Sequence, residues 1–331
     1  MRRLKIAVTG TRGVIGGELV RRLEGEESCR RLVLLDLVPP VQTLRKGRFY
    51  RVDLTEPAAS LRIAEALERE RPDVIVHLAF LQQPIRNPRY EHELESLGTM
   101  HVLHALTRLA RHGETPHLVL GGSTLVYGAH ADNPAFLSED APLRGRRDYA
   151  LVGEKIDSER QLERLHEREG FAVTVLRTAP LLSPGVRSLL GRYLSLPALP
   201  TILGFNPMIQ ALGADDAVEA FWRAIQRGAA IGGRGPRSVF NVCAAGVLPL
   251  HAAIRLSGRR SVPLLRFAAN AMVEPLFQAG LAIAPSAHLD YVQYSCVVAG
   301  ELARAELDFT PRHSTRDCVA RFARTRLRDA A

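Results

Sequence analysis

The sequence predicts an α/β fold: a doubly wound parallel sheet with a smaller mixed α/β part that binds the substrate. Three observations carry this prediction. Short, almost wholly apolar segments alternate with helical ones through the first half of the chain. Strands without polar alternation belong to a sheet covered on both faces, as parallel sheets are. A glycine-rich turn separates the first strand from the first helix, and an acid closes the second strand.

The elements follow in order. "LKIAVT" is a buried strand, "GGELVRRLEG" a helix, and "RLVLLD" a strand ending on Asp36. "ASLRIAEALERERP" is helical, with Leu61, Ala64 and Leu67 on one face. "DVIVHLA" is a strand; residues 92–113 form a long helix with Leu94, Leu97, Leu103, Leu106 and Leu109 as its buried stripe. "HLVLGGS" is a strand, "GEKIDSERQLERLHEREG" a charged helix, and "FAVTVLR" a further strand. In the second half "DDAVEAFWRAIQRG" and "PLHAAIRLSGRR" are helices and "SVFNVC" a late strand. Right-handed crossovers then place the ligand crevice at the carboxyl ends of the strands.

With 331 residues, 46% of them hydrophobic, the chain has ample length for a large core. No apolar run reaches the roughly 18–20 residues that span a bilayer. The opening "MRRLKIAVTG" reads as a first strand, not a signal peptide. The four cysteines are scattered and the eleven histidines form no ligand-spaced pair, so no disulfide framework and no metal are expected, and a cytoplasmic location fits. The net charge of +9 reads as an arginine-rich surface. Aromatics do not interleave with the basic clusters, so no nucleic-acid partner is expected.

"VTGTRGVIGGEL" sets Gly10, Gly13 and Gly16 between strand and helix, with Arg12, Val14 and Ile15 in the same loop. Gly10 permits the tight turn, Gly13 lets backbone approach a pyrophosphate, and Gly16 lets helix pack close on strand. Asp36 stands where an acid accepts hydrogen bonds from a ribose. This is the Rossmann fingerprint. Leu37, Val38 and two prolines follow Asp36 with no arginine beside it, which favours NAD over NADP, although Arg45 and Lys46 come later. Asp53 and Leu54 end another strand and suit the adenine. Leu78, Ala79, Phe80 and Pro180 also lie at strand ends facing the cofactor.

On these motifs the chain resembles the extended short-chain dehydrogenase/reductase family, the NAD-dependent epimerase/dehydratase group, of the UDP-glucose 4-epimerase type. "VTGTRGVIGG" is similar to its TGxxGxxG, "VDL" to its Asp-Leu, "VIVHLAF" to its His-Leu-Ala-Ala strand, and "GGSTLVYG" to its Ser-Ser-x-x-x-Val-Tyr-Gly. "LGTMHVLHAL", "LRTAPLLSPG", "GADDAVEAF" and "ARAELDFTPRHSTRD" match further segments, so the resemblance covers nearly the whole chain. It implies a bound NAD, an oxidoreductase or epimerase acting on a secondary alcohol or ketone, and a homodimer through helices near 92–112 and 153–169. It also implies roles: Ser123 beside the substrate oxygen, Tyr127 structural, Tyr149 the base, and Lys155 the cation that lowers the tyrosine pKa.

The pattern departs from the family where the chemistry lies. The family's lysine is four residues after its tyrosine; here that position is Gly153, and the lysine is Lys155. Anchoring on Lys155 puts Leu151 at the tyrosine position. Two residues six apart do not share a helix face. Tyr149 and Lys155 therefore meet only if Tyr149 lies in a loop before a helix starting near Gly153, capped by Asp148 or Gly153; otherwise the pair is lost and the chain is a non-catalytic NAD-binding sensor or scaffold. The family's asparagine before Gly-Thr falls at Glu95, and its phosphate-gripping arginine near Ile209. Arg187, Arg192 and Arg266 stand at no matching place.

Residues 262–285 read as a helix with Arg266, Asn270, Glu274 and Gln278 as a narrow polar stripe, kinked or interrupted at Pro275. It is an ordinary buried helix, the wall of a greasy pocket, or a lid on a membrane surface. The expected domains are residues 1–178 for NAD and 179–331 mainly for a small-molecule substrate, with 202–243 returning to the first.

Overall fold

The computed structural model describes residues 3–40, 42–111 and 115–329. Eleven strands occur among them: β1 (Leu4–Thr9), β2 (Cys29–Asp36), β3 (Gly47–Arg51), β4 (Val74–His77), β5 (His117–Ser123), β6 (Val173–Thr178), β7 (Ala198–Ile202), β8 (Met208–Ile209), β9 (Arg237–Val242), β10 (Leu248–Pro249) and β11 (Arg260–Leu264). Seven form one parallel sheet in the order β3-β2-β1-β4-β5-β6-β9. The order reverses between β1 and β4, which is where such a sheet opens its ligand crevice.

Period-two alternation divides the core between the two faces. Ile6, Val8, Leu32 and Leu34 pack with Leu19, Leu23, Phe221 and Ile225 of the helices Val14–Gly25 and Ala214–Ile231. Ala7, Val33 and Leu35 face the other way, onto Ile63, Leu67, Val102, Leu106 and Leu162. A separate cluster gathers Leu194, Leu199, Leu250, Ile254 and Val319 from the second half of the chain.

Four local readings are corrected. Leu61 is 54% exposed, and Ile63 instead joins Ala64 and Leu67 in the core. The long helix starts earlier, at Pro88, and runs without a gap through a π-helical turn Glu93–Leu97 into Gly98–Arg111; residues 112 and 113 of the expected span lie outside the described residues. The helix expected over 249–260 ends at Leu256, because Gly258 takes a positive φ of 68° and the chain turns into β11. The helix expected over 262–285 therefore begins at Arg266 and runs to Gln278, through Pro275. β7 and β11 pair in parallel, a contact between segments some sixty residues apart. Among the described residues no helix is long and apolar enough to cross a membrane.

Candidate active site

The glycine loop is built for close approach. Gly10 has φ +69°, and a Cβ there would stand 2.6 Å from the backbone nitrogen of Ala79. A Cβ on Gly16 would meet the carbonyl oxygen of Gly10 at 2.1 Å. A side chain at Gly10 would push the loop off the Leu78–Ala79 backbone, and one at Gly16 would push the helix off the loop. Gly13 is the N-cap of Val14–Gly25 and brings no side-chain cap, so first-turn amides remain for an anion. Asp36 braces the loop: its Oδ2 accepts from Thr11 Oγ1 at 3.1 Å and from the Arg12 amide at 3.0 Å, and Oδ1 from the Leu37 amide at 2.7 Å. Asp53 accepts from the amide and hydroxyl of Thr55 at 3.0 and 2.7 Å, and Leu54 is buried against Gly98. A loop of this shape, with a carboxylate beside it and no bulk inside it, fits a dinucleotide.

From the loop a cleft of about 1320 Å³, open solvent at its mouth included, runs across the strand ends. Gly13, Val14, Ile15 and Gly16 line its first part, Leu78, Phe80 and Pro180 its middle, and Ser123, Lys155 and His288 its far part. Leu125, Leu151, Leu189, Met208 and Leu250 supply apolar walls, and no arginine is among the described lining residues. Arg187 is exposed, Arg192 donates to Gln83, and Arg266 is paired with Asp290 at 2.6 Å. Tyr149, Gly10, Arg12, Asp36, Asp53, Leu54 and Ala79 are not among the lining residues either; Arg12 borders a second hollow beside the loop with Pro40 and Pro184.

Residues 6–243 match the NAD dependent epimerase/dehydratase family. The chain belongs to that family. An uncharacterized protein of Mycobacterium tuberculosis (strain H37Rv) is 28% identical over 326 residues, 97% of this chain and 84% of the relative. Among solved structures, the UDP-glucose 4-epimerase of Thermotoga maritima with UDP-glucose superposes with a TM-score of 0.72 at 16% identity, covering 99% of this chain and 100% of that one. The dTDP-glucose 4,6-dehydratase of Bacillus anthracis in complex with NAD gives 0.72 at 14%, covering 98% and 97%. These likenesses establish the fold, a Rossmann sheet. NAD is the cofactor of the epimerase/dehydratase family.

Against the family pattern, the tyrosine and lysine are not brought together. The charged helix spans Ala150–Glu169, not a segment starting near Gly153, and its N-cap is Tyr149, with no side-chain cap from Asp148. Gly153 is inside the first turns because a Cβ there would meet the Arg147 carbonyl oxygen at 2.5 Å, which leaves no room for a lysine four after Tyr149. Leu151 and Lys155 thus share a face four apart and both line the cleft. Leucine, not tyrosine, occupies the place one turn before the lysine.

Lys155 is committed elsewhere. Its Nζ donates to both oxygens of Glu95 at 2.9 Å and to the Leu81 carbonyl at 3.0 Å, which uses all three of its protons. The Phe80 ring lies 5.8 Å from it. Glu95 is fully buried by the π-turn and also accepts from the Leu81 amide at 2.7 Å. Burial raises its carboxyl pKa while Lys155 opposes the rise. Glu95 stands where the family has asparagine, and the one signal for its role was that exchange of a neutral side chain for a carboxylate.

Tyr149 is 2% exposed, and its hydroxyl lies 3.4 Å from His288 Nδ1. Burial, then the charge of Glu91, pushes its phenol well above the usual value. His288 was not anticipated; no motif marks "SAHLDY". It lines the cleft, stacks on Tyr291 at 5.5 Å, and burial lowers it to about 4. Tyr291 donates to the Leu125 carbonyl at 2.6 Å. Ser123 caps the short turn that follows β5, accepting from the Leu125 amide at 3.3 Å, and its hydroxyl proton is left for the cleft. Tyr127 is wholly buried, donating to Asn241 and accepting from Arg177, each at 2.7 Å, while Arg177 forks onto Glu159.

Proposed function

We propose that the chain binds NAD along the glycine loop and, beyond it, a small, largely apolar molecule carrying a secondary alcohol or ketone, on which it acts as an oxidoreductase or epimerase. One observation carries this reading: the cleft runs from Gly13–Gly16 to Ser123 and His288 between walls of leucine and methionine, with no arginine among its described lining residues. A nucleotide sugar carries two phosphates and calls for forked cationic contacts. The sugar-nucleotide substrate is therefore the weaker of the two substrates the sequence allows.

The first-turn amides after Gly13 would bind the pyrophosphate, Asp36 the adenosine ribose and Asp53 the adenine. NAD, when bound, supplies a two-electron acceptor for a carbon-bound hydride. Ser123 would donate a hydrogen bond to the substrate oxygen. With its Nδ1 turned to the Tyr149 hydroxyl, the neutral His288 has its other nitrogen left to exchange a proton with that oxygen. Tyr149 then acts as a positioning residue, and Lys155 shapes the cleft floor through Glu95. The family's tyrosinate base has no counterpart in this scheme. We also propose a homodimer through Gly98–Arg111 and Ala150–Glu169, which light scattering would read.

The test is turnover of hydrophobic secondary alcohols and UDP-sugars by purified protein, read by NADH absorbance for oxidation and by chromatography of the products for epimerisation, which leaves no net NADH. Turnover of the apolar alcohols is expected, with His288→Asn reducing kcat/KM at least about 100-fold. Preference for UDP-sugars overturns the reading. A second reading, NAD binding without catalysis, is favoured by Leu151 in the tyrosine's place; tight NAD binding with no turnover of any substrate selects it.

A further inference from the structure

The helix Arg266–Gln278 is turned inside out. Its exposed residues are Phe267, Asn270, Ala271, Met272, Pro275, Leu276 and Gln278, none of them charged. Both its charges sit on the half-buried side, where Arg266 pairs with Asp290 at 2.6 Å and Glu274 accepts from the amide and hydroxyl of Ser286 at 2.9 and 2.8 Å. A surface helix of a water-facing domain has the reverse arrangement. Phe267 is 73% exposed, and Leu281, just beyond the helix, 76%.

The apolar face extends past the helix. The Leu203 amide donates to the Leu264 carbonyl at 2.9 Å, which sets Leu203 beside Leu265; they are 55% and 50% exposed. Phe205 and Met208 are exposed further along, and Met208 also lines the cleft. Exposed large apolar side chains gathered in this way on a single chain mark a contact with something apolar.

The charge around it says what that is. Residues 181–210 and 246–281, which carry the face, hold five arginines besides Arg266 (Arg187, Arg192, Arg255, Arg259 and Arg260) against one acid, Glu274, while Arg266 is neutralised by Asp290. Arg187, Arg192, Arg255 and Arg260 are exposed. Pairing the face with its own copy would set arginine against arginine, which opposes association. A bilayer with anionic headgroups receives both the apolar side chains and the cations. We propose that this face docks the protein on an anionic lipid surface, with the mouth of the cleft at Met208 turned toward the lipid. Docking stands without the reading of the cleft, because vesicle binding and turnover are measured separately.

The test is co-sedimentation of the full chain with phosphatidylcholine vesicles, with and without about one-third phosphatidylglycerol. The protein is expected to pellet with the anionic vesicles, at least about tenfold more weakly with neutral ones or in high salt. Phe267→Ser with Leu281→Ser should weaken binding at least about tenfold and leave the thermal midpoint unchanged, because both side chains are exposed. Phe267→Trp should show blue-shifted emission quenched by brominated lipid; the chain's own tryptophan, Trp222, is buried. Three results overturn the proposal: no binding to anionic vesicles, undiminished binding by the double variant, or a dimer that the double variant dissociates.

Discussion

Replacing Lys155 by methionine isolates the change that sets this chain apart from its family. Lys155 is 5% exposed and Glu95 wholly buried, and three donor–acceptor contacts of 2.9–3.0 Å join the ammonium to Glu95 and Leu81. Methionine keeps the length and removes the charge, leaving a buried carboxylate that has lost the group opposing its raised pKa. Breaking a buried pair in this way costs about 3–5 kcal/mol. At roughly 2.1 cal/mol/K per residue, a chain of this length has an unfolding entropy near 0.7 kcal/mol/K, so the midpoint should fall by about 4–7 °C. An acid whose pKa is raised on folding favours the fold while protonated and loses that stability as pH rises through the folded value. The loss in Lys155→Met should therefore be larger at alkaline pH than at mildly acid pH. Adding Glu95→Gln should restore most of it, since the uncompensated charge is gone. Circular dichroism melts of wild type, the single variant and the double variant at two pH values form the assay. A Lys155→Met midpoint within about 1 °C of wild type, at either pH, would show that the lysine is not locked to Glu95 and is available to the substrate.

Other consequences follow from single residues. Gly16→Ala places a Cβ 2.1 Å from the Gly10 carbonyl and should weaken NAD binding by at least about tenfold in calorimetry; unchanged affinity would remove the loop from the cofactor site. Glu91 is raised from 4.5 to about 7 by burial and then by Glu95, so stability should fall as pH rises through that window. Glu91→Gln should flatten this dependence and stabilise the protein by about 1–3 kcal/mol above pH 7; an unchanged pH profile would contradict it. Leu151→Tyr with Glu95→Asn rebuilds the family's tyrosine, lysine and asparagine on the existing helix. It should raise NAD-dependent turnover of secondary alcohols about tenfold or more, and a loss of activity in a folded variant would show that Leu151 does not stand at the family's tyrosine position.

Much of the site was legible because its rules are local. Gly10 and Gly16 are dictated by backbone contacts within the loop and with the Leu78–Ala79 segment after β4, and Asp36 by its place at the end of β2. The apolar runs of β1, β4 and β6 announce a buried parallel sheet without further context. The register of Leu151 and Lys155 was legible too, since four residues make one helix face. What the sequence left open was decided at long range. Lys155 finds Glu95 from sixty positions away because a π-turn rotates that carboxylate inward, and such a turn has no reliable sequence signature. His288 reaches Tyr149 across 139 positions, and nothing in its neighbours signals a cleft residue. β7 and β11, "ALPTI" and "RSVPL", each carry a proline and pair only with each other, so propensity argued against both. In Arg266–Gln278 the expected polar stripe is split: Asn270 and Gln278 face water, whereas Arg266 and Glu274 are half-buried because Asp290 and Ser286 hold them.

The central claim is that Lys155 serves Glu95 and the fold, and that proton exchange in the cleft runs through His288. The kcat/KM for an apolar secondary alcohol, measured by NADH absorbance for wild type and for Lys155→Met with Glu95→Gln, tests it most directly. The account predicts values within about tenfold of each other, because the lysine does not activate the reacting group. A fall of about 1000-fold or more in the folded double variant would contradict it and return Lys155 to the role it has in the family.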